Sequence, residues 1–310
     1  MFKKHIPAFF CMLLPFVVSA QQKAADSVTV GKNIITLSTV VANTKLNVPN
    51  FIDIVKKDTS FYKAFKILHI LGFTALNDIR MLDKNNNTEA SLYSKTKQTE
   101  HNGCRTMQTL EQQTSGDIFT SDSNFNYYTA QMYASLFFTK DSVCGENNIV
   151  GSKEFSTEDK TGIEKHKEQL KMLFFDPGKK INGLPFISNK TAIFDDDIAT
   201  KYDMNIDMDA YNKTSCYIFT ITVKPEYKSD VVIDEMKTWF DDSTYEVVAR
   251  NYALSYDAGI YDFNVKMEVQ MTHYKNYLVP ALMRYNGNWK VFLKSRERGV
   301  FTATLFDFND

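Results

Sequence analysis

The stretch Tyr261-Asp262-Phe263-Asn264-Val265-Lys266-Met267-Glu268-Val269-Gln270-Met271-Thr272 alternates apolar and polar side chains without an exception. Successive side chains of a β-strand point to opposite faces, so this pattern predicts a strand with one dry face and one wet face. At roughly 3.3 Å per residue the strand spans about 40 Å, about twice the usual length. A sheet built from such strands is expected to twist and curve.

The same alternation appears upstream and extends the prediction to a whole sheet. In residues 201–209 the apolar positions are Tyr202, Met204, Ile206 and Met208. Further strands are predicted at 216–224, 231–240, 245–256, 278–285, 289–296 and 300–308. Turn residues separate them, at Asp241-Asp242-Ser243, Asp257-Ala258-Gly259 and Asn286-Gly287-Asn288. Because such short connections force neighbouring strands to run antiparallel, residues 198–310 are predicted to form an antiparallel meander.

The residues before the meander supply helices and a hairpin. Helices are predicted at 50–66, with a break at Asp58-Thr59-Ser60, and at 125–138 and 160–175. A strand is predicted at 33–42, and strands at 67–82 and 90–99 form a hairpin around Lys84-Asn85-Asn86-Asn87. The dry face of the sheet must be covered, and the helices are the available cover. The fold class is therefore α+β, with a large curved antiparallel sheet, made of the C-terminal meander and the N-terminal hairpin, packed against a few helices.

The N-terminus has the three parts of an export signal. Lys3 and Lys4 precede an apolar run from Phe9 to Val18, and small residues lead to a cleavage site after Ala20. We expect residues 1–20 to be a signal peptide, 21–32 a flexible lead and 33–310 one α+β domain, with a subdivision near 150–197 as an alternative. The predicted location is the periplasm or the outer membrane.

Charge and motifs exclude several function classes. Removal of residues 1–20 takes away two lysines and no acidic residue, which changes the net charge from −1 to −3. The mature chain is then too acidic to attract nucleic acid by charge. No later segment is apolar enough for a transmembrane span. The sequence contains no G-x-S-x-G, H-E-x-x-H, Walker or G-x-G-x-x-G motif, so no catalytic residue, cofactor or metal is predicted.

Three cysteines remain after the predicted cleavage. Cys104 and Cys144 lie in loop-like settings, and Cys216 lies in a strand-like setting. An exported chain can hold disulfides, and we expect Cys104 to pair with Cys144 while Cys216 stays a buried free thiol. Three reduced cysteines are the alternative, since spacing alone does not choose among the pairings.

Two resemblances are visible in the sequence. It resembles a family of exported, largely uncharacterised proteins of Bacteroidota-type bacteria, around Cys104 and Cys144 and in the segments 51–53, 58–65, 71–74, 77–80, 127–130 and 135–139. The C-terminal third, with Glu235-Met236-Lys237-Thr238-Trp239 before the long strand, resembles in architecture the curved half-barrel of lipoprotein-carrier (Lol-type) proteins. That second resemblance implies binding of a lipid or a lipoprotein.

The leading functional hypothesis is a non-enzymatic envelope protein that encloses a lipid, an acyl chain or a lipoprotein in an apolar groove. The predicted groove lining is the dry face of the two alternating strands: Tyr202, Met204, Ile206, Met208, Tyr261, Phe263, Val265, Met267, Val269 and Met271. One alternative is a hydrolase-type enzyme with a site built from the loops 139–161 and 176–197. The other is a structural module bound to an outer-membrane protein through a sheet edge. A filled core under the helices would remove the groove.

Overall fold

The computed structural model describes residues 26–150, 172–181, 187, 190–259, 261–291 and 294–310. The predicted signal peptide 1–20 lies outside the described residues. Most of the predicted helix 160–175 also lies outside them, although residues 172–175 are helical.

Strands dominate the described chain. They are β1 (Asp26–Val30), β2 (Asn33–Leu37), β3 (Gly72–Leu82), β4 (Thr88–His101), β5 (Cys104–Ser115), β6 (Ser142–Cys144), β7 (Tyr202–Tyr211), β8 (Thr214–Val223), β9 (Ile233–Asp241), β10 (Val247–Asp257), β11 (Tyr261–Tyr274), β12 (Tyr277–Val291) and β13 (Glu297–Asn309). They form one sheet in the order β1-β2-β7-β8-β9-β10-β11-β12-β13-β3-β4-β5-β6.

The sheet consists of a seven-strand meander extended at both sides. From β7 to β13 every strand pairs antiparallel with the next one in sequence, as the short connections predict. Beyond the meander, β13 pairs antiparallel with β3, so the N-terminal hairpin joins the same sheet. On the other side β2 pairs with β7 in parallel. The predicted α+β class is confirmed.

Short helices cover one face of the sheet. They are α1 (Thr39–Ala42), α2 (Val48–Lys57), α3 (Ser60–Ile67), α4 (Tyr128–Phe137) and α5 (Asp196–Ala199). The predicted break between α2 and α3 is confirmed, because Asp58 ends α2 and its Oδ1 accepts a hydrogen bond of 2.9 Å from Ser60 N at the start of α3. No helix among the described residues is long and apolar enough to span a membrane.

Aromatic side chains join the helices to the dry face. Phe51 of α2 lies 5.4 Å from Phe240 and 5.8 Å from Tyr217, ring centre to ring centre. Tyr133 of α4 lies 4.5 Å from Tyr285 and stacks on Phe301 at 5.1 Å. Such contacts bury large apolar areas, and aromatic rings pack in preferred relative orientations. They therefore hold the helices against the sheet.

The predicted turn Asn286-Gly287-Asn288 is wrong. β12 runs unbroken through it, with Gly287 opposite Val265 on one side and Gly299 on the other. The glycine is needed for packing: a Cβ there would lie 2.5 Å from Oη of Tyr285. Local turn chemistry was overruled by pairing on both sides of the strand.

Two N-terminal boundaries also differ from the prediction. The strand predicted to begin at Ile67 begins at Gly72, because α3 continues to Ile67 and a 3-10 turn covers Leu68–Ile70. The strand predicted at 33–42 ends at Leu37, where Ser38 caps α1. The predicted flexible lead 21–32 contains β1, which pairs with β2.

Candidate functional site

The predicted groove residues lie in the core beneath the helices. Seven of them are buried: Tyr202, Met204, Ile206, Phe263, Val265, Met267 and Val269. The other three, Met208, Tyr261 and Met271, are partly buried and pack against the same core. Of the ten, Phe263 alone borders one of the described cavities, an open surface depression. Ligand binding by this set stays a prediction.

A different apolar pocket lies at the other end of the sheet, between α3, α4 and the strands β3, β4 and β13. It encloses about 30 Å³, room for roughly two waters. Its described wall is formed by Phe65, Leu68, His69, Phe73, Ala75, Asn77, Gln98, Arg105, Leu136, Phe137, Phe175, Ala303 and Leu305. The wall is mostly apolar with a few polar groups, as in small-molecule sites, although sites for drug-sized ligands enclose about 300–1,000 Å³.

Two polar wall residues, Arg105 and Gln98, are connected in one network with Thr139. Nη1 of Arg105 donates to Oε1 of Gln98 at 3.2 Å, and it also donates to Oγ1 of Thr139. Nε2 of Gln98 donates at 2.7 Å to the carbonyl oxygens of Leu68 and Leu71, on either side of the turn that carries His69. The buried amide of Gln98 therefore positions Arg105 and the turn that carries His69.

Glu146 lies behind the pocket wall and joins its two basic residues. Its Oε2 accepts a hydrogen bond of 2.5 Å from Nε of Arg105, and its Oε1 lies 3.2 Å from Nδ1 of His69. Burial raises the pKa of Glu146, but the close contacts with His69 and Arg105 outweigh burial and lower the pKa to about 2. Glu146 is therefore a carboxylate at every physiological pH.

A disulfide holds the two halves of this network together. Cys104 and Cys144 are joined, as predicted, and Cys216 is a buried free thiol. The disulfide connects β5 to the three-residue strand β6, whose pairing is otherwise limited to residues 104–106. Arg105 follows one cysteine and Glu146 lies two residues after the other, so the disulfide fixes the distance between them.

A second charged group is buried under the helices, away from the pocket. Arg250 of β10 is almost fully buried; it lies 3.7 Å from Asp58, donates to Thr238 at 3.0 Å and stacks over Phe61. Burial raises the pKa of nearby Asp176 to about 6, although Lys179 and Arg250 lower it. None of these groups borders the pocket, and their contacts join α2 and α3 to the sheet.

The three charged or ionisable residues next to the pocket, His69, Arg105 and Glu146, are not predicted from the sequence. His69, Arg105 and Glu146 are scattered along the chain and form no motif, so no local signal marks them. The one partial signal was the loop 139–161, proposed for the enzyme alternative, which supplies Thr139 and Glu146. The Asp176 end of the loop 176–197 lies instead near Arg250.

Comparison with known proteins assigns no family. No family model matches the chain, and no curated protein matches it. Among solved structures, an outer membrane lipoprotein-sorting protein domain from Vibrio parahaemolyticus is 10% identical, covering 77% of this chain and 84% of that one, with a TM-score of 0.26. A DUF1329 family protein from Desulfovibrio piger is 13% identical, covering 81% and 93%, with a TM-score of 0.25. TM-scores this low assign neither fold nor function.

Proposed function

We propose that the protein is a non-enzymatic binding protein of the cell envelope that holds the apolar chain of a lipid, an acylated molecule or a lipoprotein between the sheet and its helical cover. The observation that carries the proposal is the pocket bounded by α3, α4 and β13. The disulfide supports a location outside the cytoplasm, where such bonds persist.

The composition of the pocket wall favours an apolar chain. Phe65, Phe137 and Phe175 lie on the helical side, and Leu305 and Ala303 lie on the sheet side. Ring centres of Phe65 and Phe175 are 4.7 Å apart, and those of Phe137 and Phe175 are 6.2 Å apart. Because the pocket encloses only about 30 Å³, an acyl chain must displace these rings to enter it.

Filling the pocket tests the proposal. Ala303 is fully buried and borders the pocket, so Ala303→Leu places three more carbon atoms in the space that the ligand would occupy. Ala249 is equally buried but belongs to a separate apolar cluster, so Ala249→Leu is the matched control. The exported wild-type protein should yield extractable lipid by mass spectrometry and bind palmitate; Ala303→Leu should lose both and the control neither.

Thermal unfolding of both variants checks that each is folded. A wild-type protein that carries no lipid and binds no palmitate would refute the proposal. A folded Ala303→Leu variant that binds palmitate as the wild type does would place the chain elsewhere in the molecule and refute this site.

A further inference from the structure

The polar groups at the pocket are arranged asymmetrically. His69 and Arg105 both border the pocket, as do the amides of Asn77 and Gln98. The described wall contains no aspartate and no glutamate, because Glu146 contacts the two basic residues from behind. A ligand in the pocket therefore contacts hydrogen-bond donors and the positive charge of Arg105, whereas the carboxylate of Glu146 does not border the pocket.

Arg105 has donors left for a ligand. Its Nε is taken by Glu146 and its Nη1 by Gln98 and Thr139. Its Nη2 makes no hydrogen bond to any residue that the structure describes. Nδ1 of His69 lies 3.2 Å from Glu146, and its other ring nitrogen, Nε2, makes no hydrogen bond to any residue that the structure describes. Donors on two neighbouring side chains match the two oxygens of a carboxylate.

A carboxylate fits the charge around the pocket better than a phosphate monoester does. Glu146 contacts Arg105 and His69 from behind the wall, so any negative charge in the pocket also meets the repulsion of this carboxylate. A phosphate monoester, with about −1.5 to −2 charges, meets more of that repulsion than a carboxylate with a single charge.

We propose that the pocket binds the carboxylate end of a single-chain amphiphile, such as a long-chain fatty acid, with Arg105 and His69 as the residues that determine specificity. This inference rests on the proposed function, because the apolar wall must accept the chain. The carboxylate accepts hydrogen bonds from Nη2 of Arg105 and from Nε2 of His69, and the chain runs toward Phe137 and Leu305.

The experiment compares three probes on the full-length exported protein by isothermal titration calorimetry: palmitate, methyl palmitate and hexadecyl phosphate. Palmitate should bind about tenfold or more tightly than its methyl ester, the difference that a charge-assisted hydrogen bond supplies. It should also bind more tightly than the phosphate. The double variant Arg105→Gln, Glu146→Gln removes both charges together, so no unpaired carboxylate is left behind. Its preference for palmitate over the ester should be smaller than that of the wild type, because only His69 is left to bind the carboxylate.

Arg284→Gln is the matched control, since Arg284 is an exposed arginine 3.4 Å from Glu268. It should keep the preference for palmitate. Equal binding of palmitate and its ester to the wild type would overturn this inference and leave the proposed function standing. Tighter binding of the phosphate would overturn the choice of a carboxylate. Absence of binding of all three probes would refute the proposed function itself.

Discussion

Nε of Arg105 donates a hydrogen bond of 2.5 Å to Oε2 of Glu146, although the two residues are 41 positions apart in the chain. Each residue is close in sequence to one half of the Cys104–Cys144 disulfide. The ion pair and the covalent bond therefore hold the same short strand, β6, against the edge of β5.

Removal of this disulfide should lower the free energy of unfolding by about 3–4 kcal/mol, the range that chain entropy gives for a closed loop of this size. The bond spans a sequence separation of 40. Urea unfolding of the Cys104→Ser, Cys144→Ser variant measures the loss. Wild-type protein treated with dithiothreitol should match that variant, and Cys216→Ala should keep its sensitivity to the reductant. Equal unfolding midpoints with and without the reductant would contradict the role given to the bond.

The carboxylate of Glu146 should make the fold sensitive to acid. Its pKa is lowered from 4.5 to about 2 in the folded protein, so its contribution to stability is complete above pH 4.5 and is lost as the pH falls toward 2. In Glu146→Gln the melting temperature should be lower at neutral pH, and its fall between pH 5 and pH 2.5 should be smaller than in the wild type. Glu268→Gln, at an exposed carboxylate, is the control. Parallel pH curves for wild type and Glu146→Gln would show that the pair contributes nothing.

The long strand β11 gives a test of register. Met267 is 4% exposed and lies between Tyr252 and Tyr285, whereas its neighbour Lys266 is exposed on the opposite face. Met267→Asp should cost several kcal/mol, because an unpaired carboxylate enters an apolar layer. Lys266→Asp should change the free energy of unfolding by well under about 1 kcal/mol. Chemical denaturation measures both, and an exchange of the two outcomes would mean that the strand is shifted by one residue.

Two paired glycines should respond differently to alanine. Gly287 and Gly299 face each other across β12 and β13. A Cβ at Gly287 would lie 2.5 Å from Oη of Tyr285, the atom that accepts a hydrogen bond from Trp289, and 2.9 Å from Val265. At Gly299 the nearest atom is Sδ of Met81 at 3.5 Å, an ordinary contact. Gly287→Ala should therefore cost about 1–3 kcal/mol, the range for overpacking, and Gly299→Ala much less. Thermal unfolding of the pair decides this, and similar melting temperatures would contradict the packing described around Tyr285.

Alternation over 202–208 and 261–272 is enough to predict the sheet, because a strand with this pattern buries one face and exposes the other. The predicted pairing of Cys104 with Cys144 is confirmed, but the loop-like settings on which it was based are wrong, because both cysteines lie in strands, β5 and β6. At Gly287 the sequence predicts a turn, but β12 continues through it because the residue is paired with strands on both sides. Two rows of strand pairing outweigh the local turn propensity.

The position of the pocket and the residues around it follow from the folded arrangement and not from any local pattern. The ten dry-face residues could line a groove or fill a core, and the difference depends on how closely the helices approach, which no periodicity encodes. His69, Arg105 and Glu146 became a site because β3 pairs with β13 and the disulfide brings β6 to β5. Contacts between residues distant in sequence form only when the whole sheet assembles. The pattern of neighbouring residues does not specify these contacts.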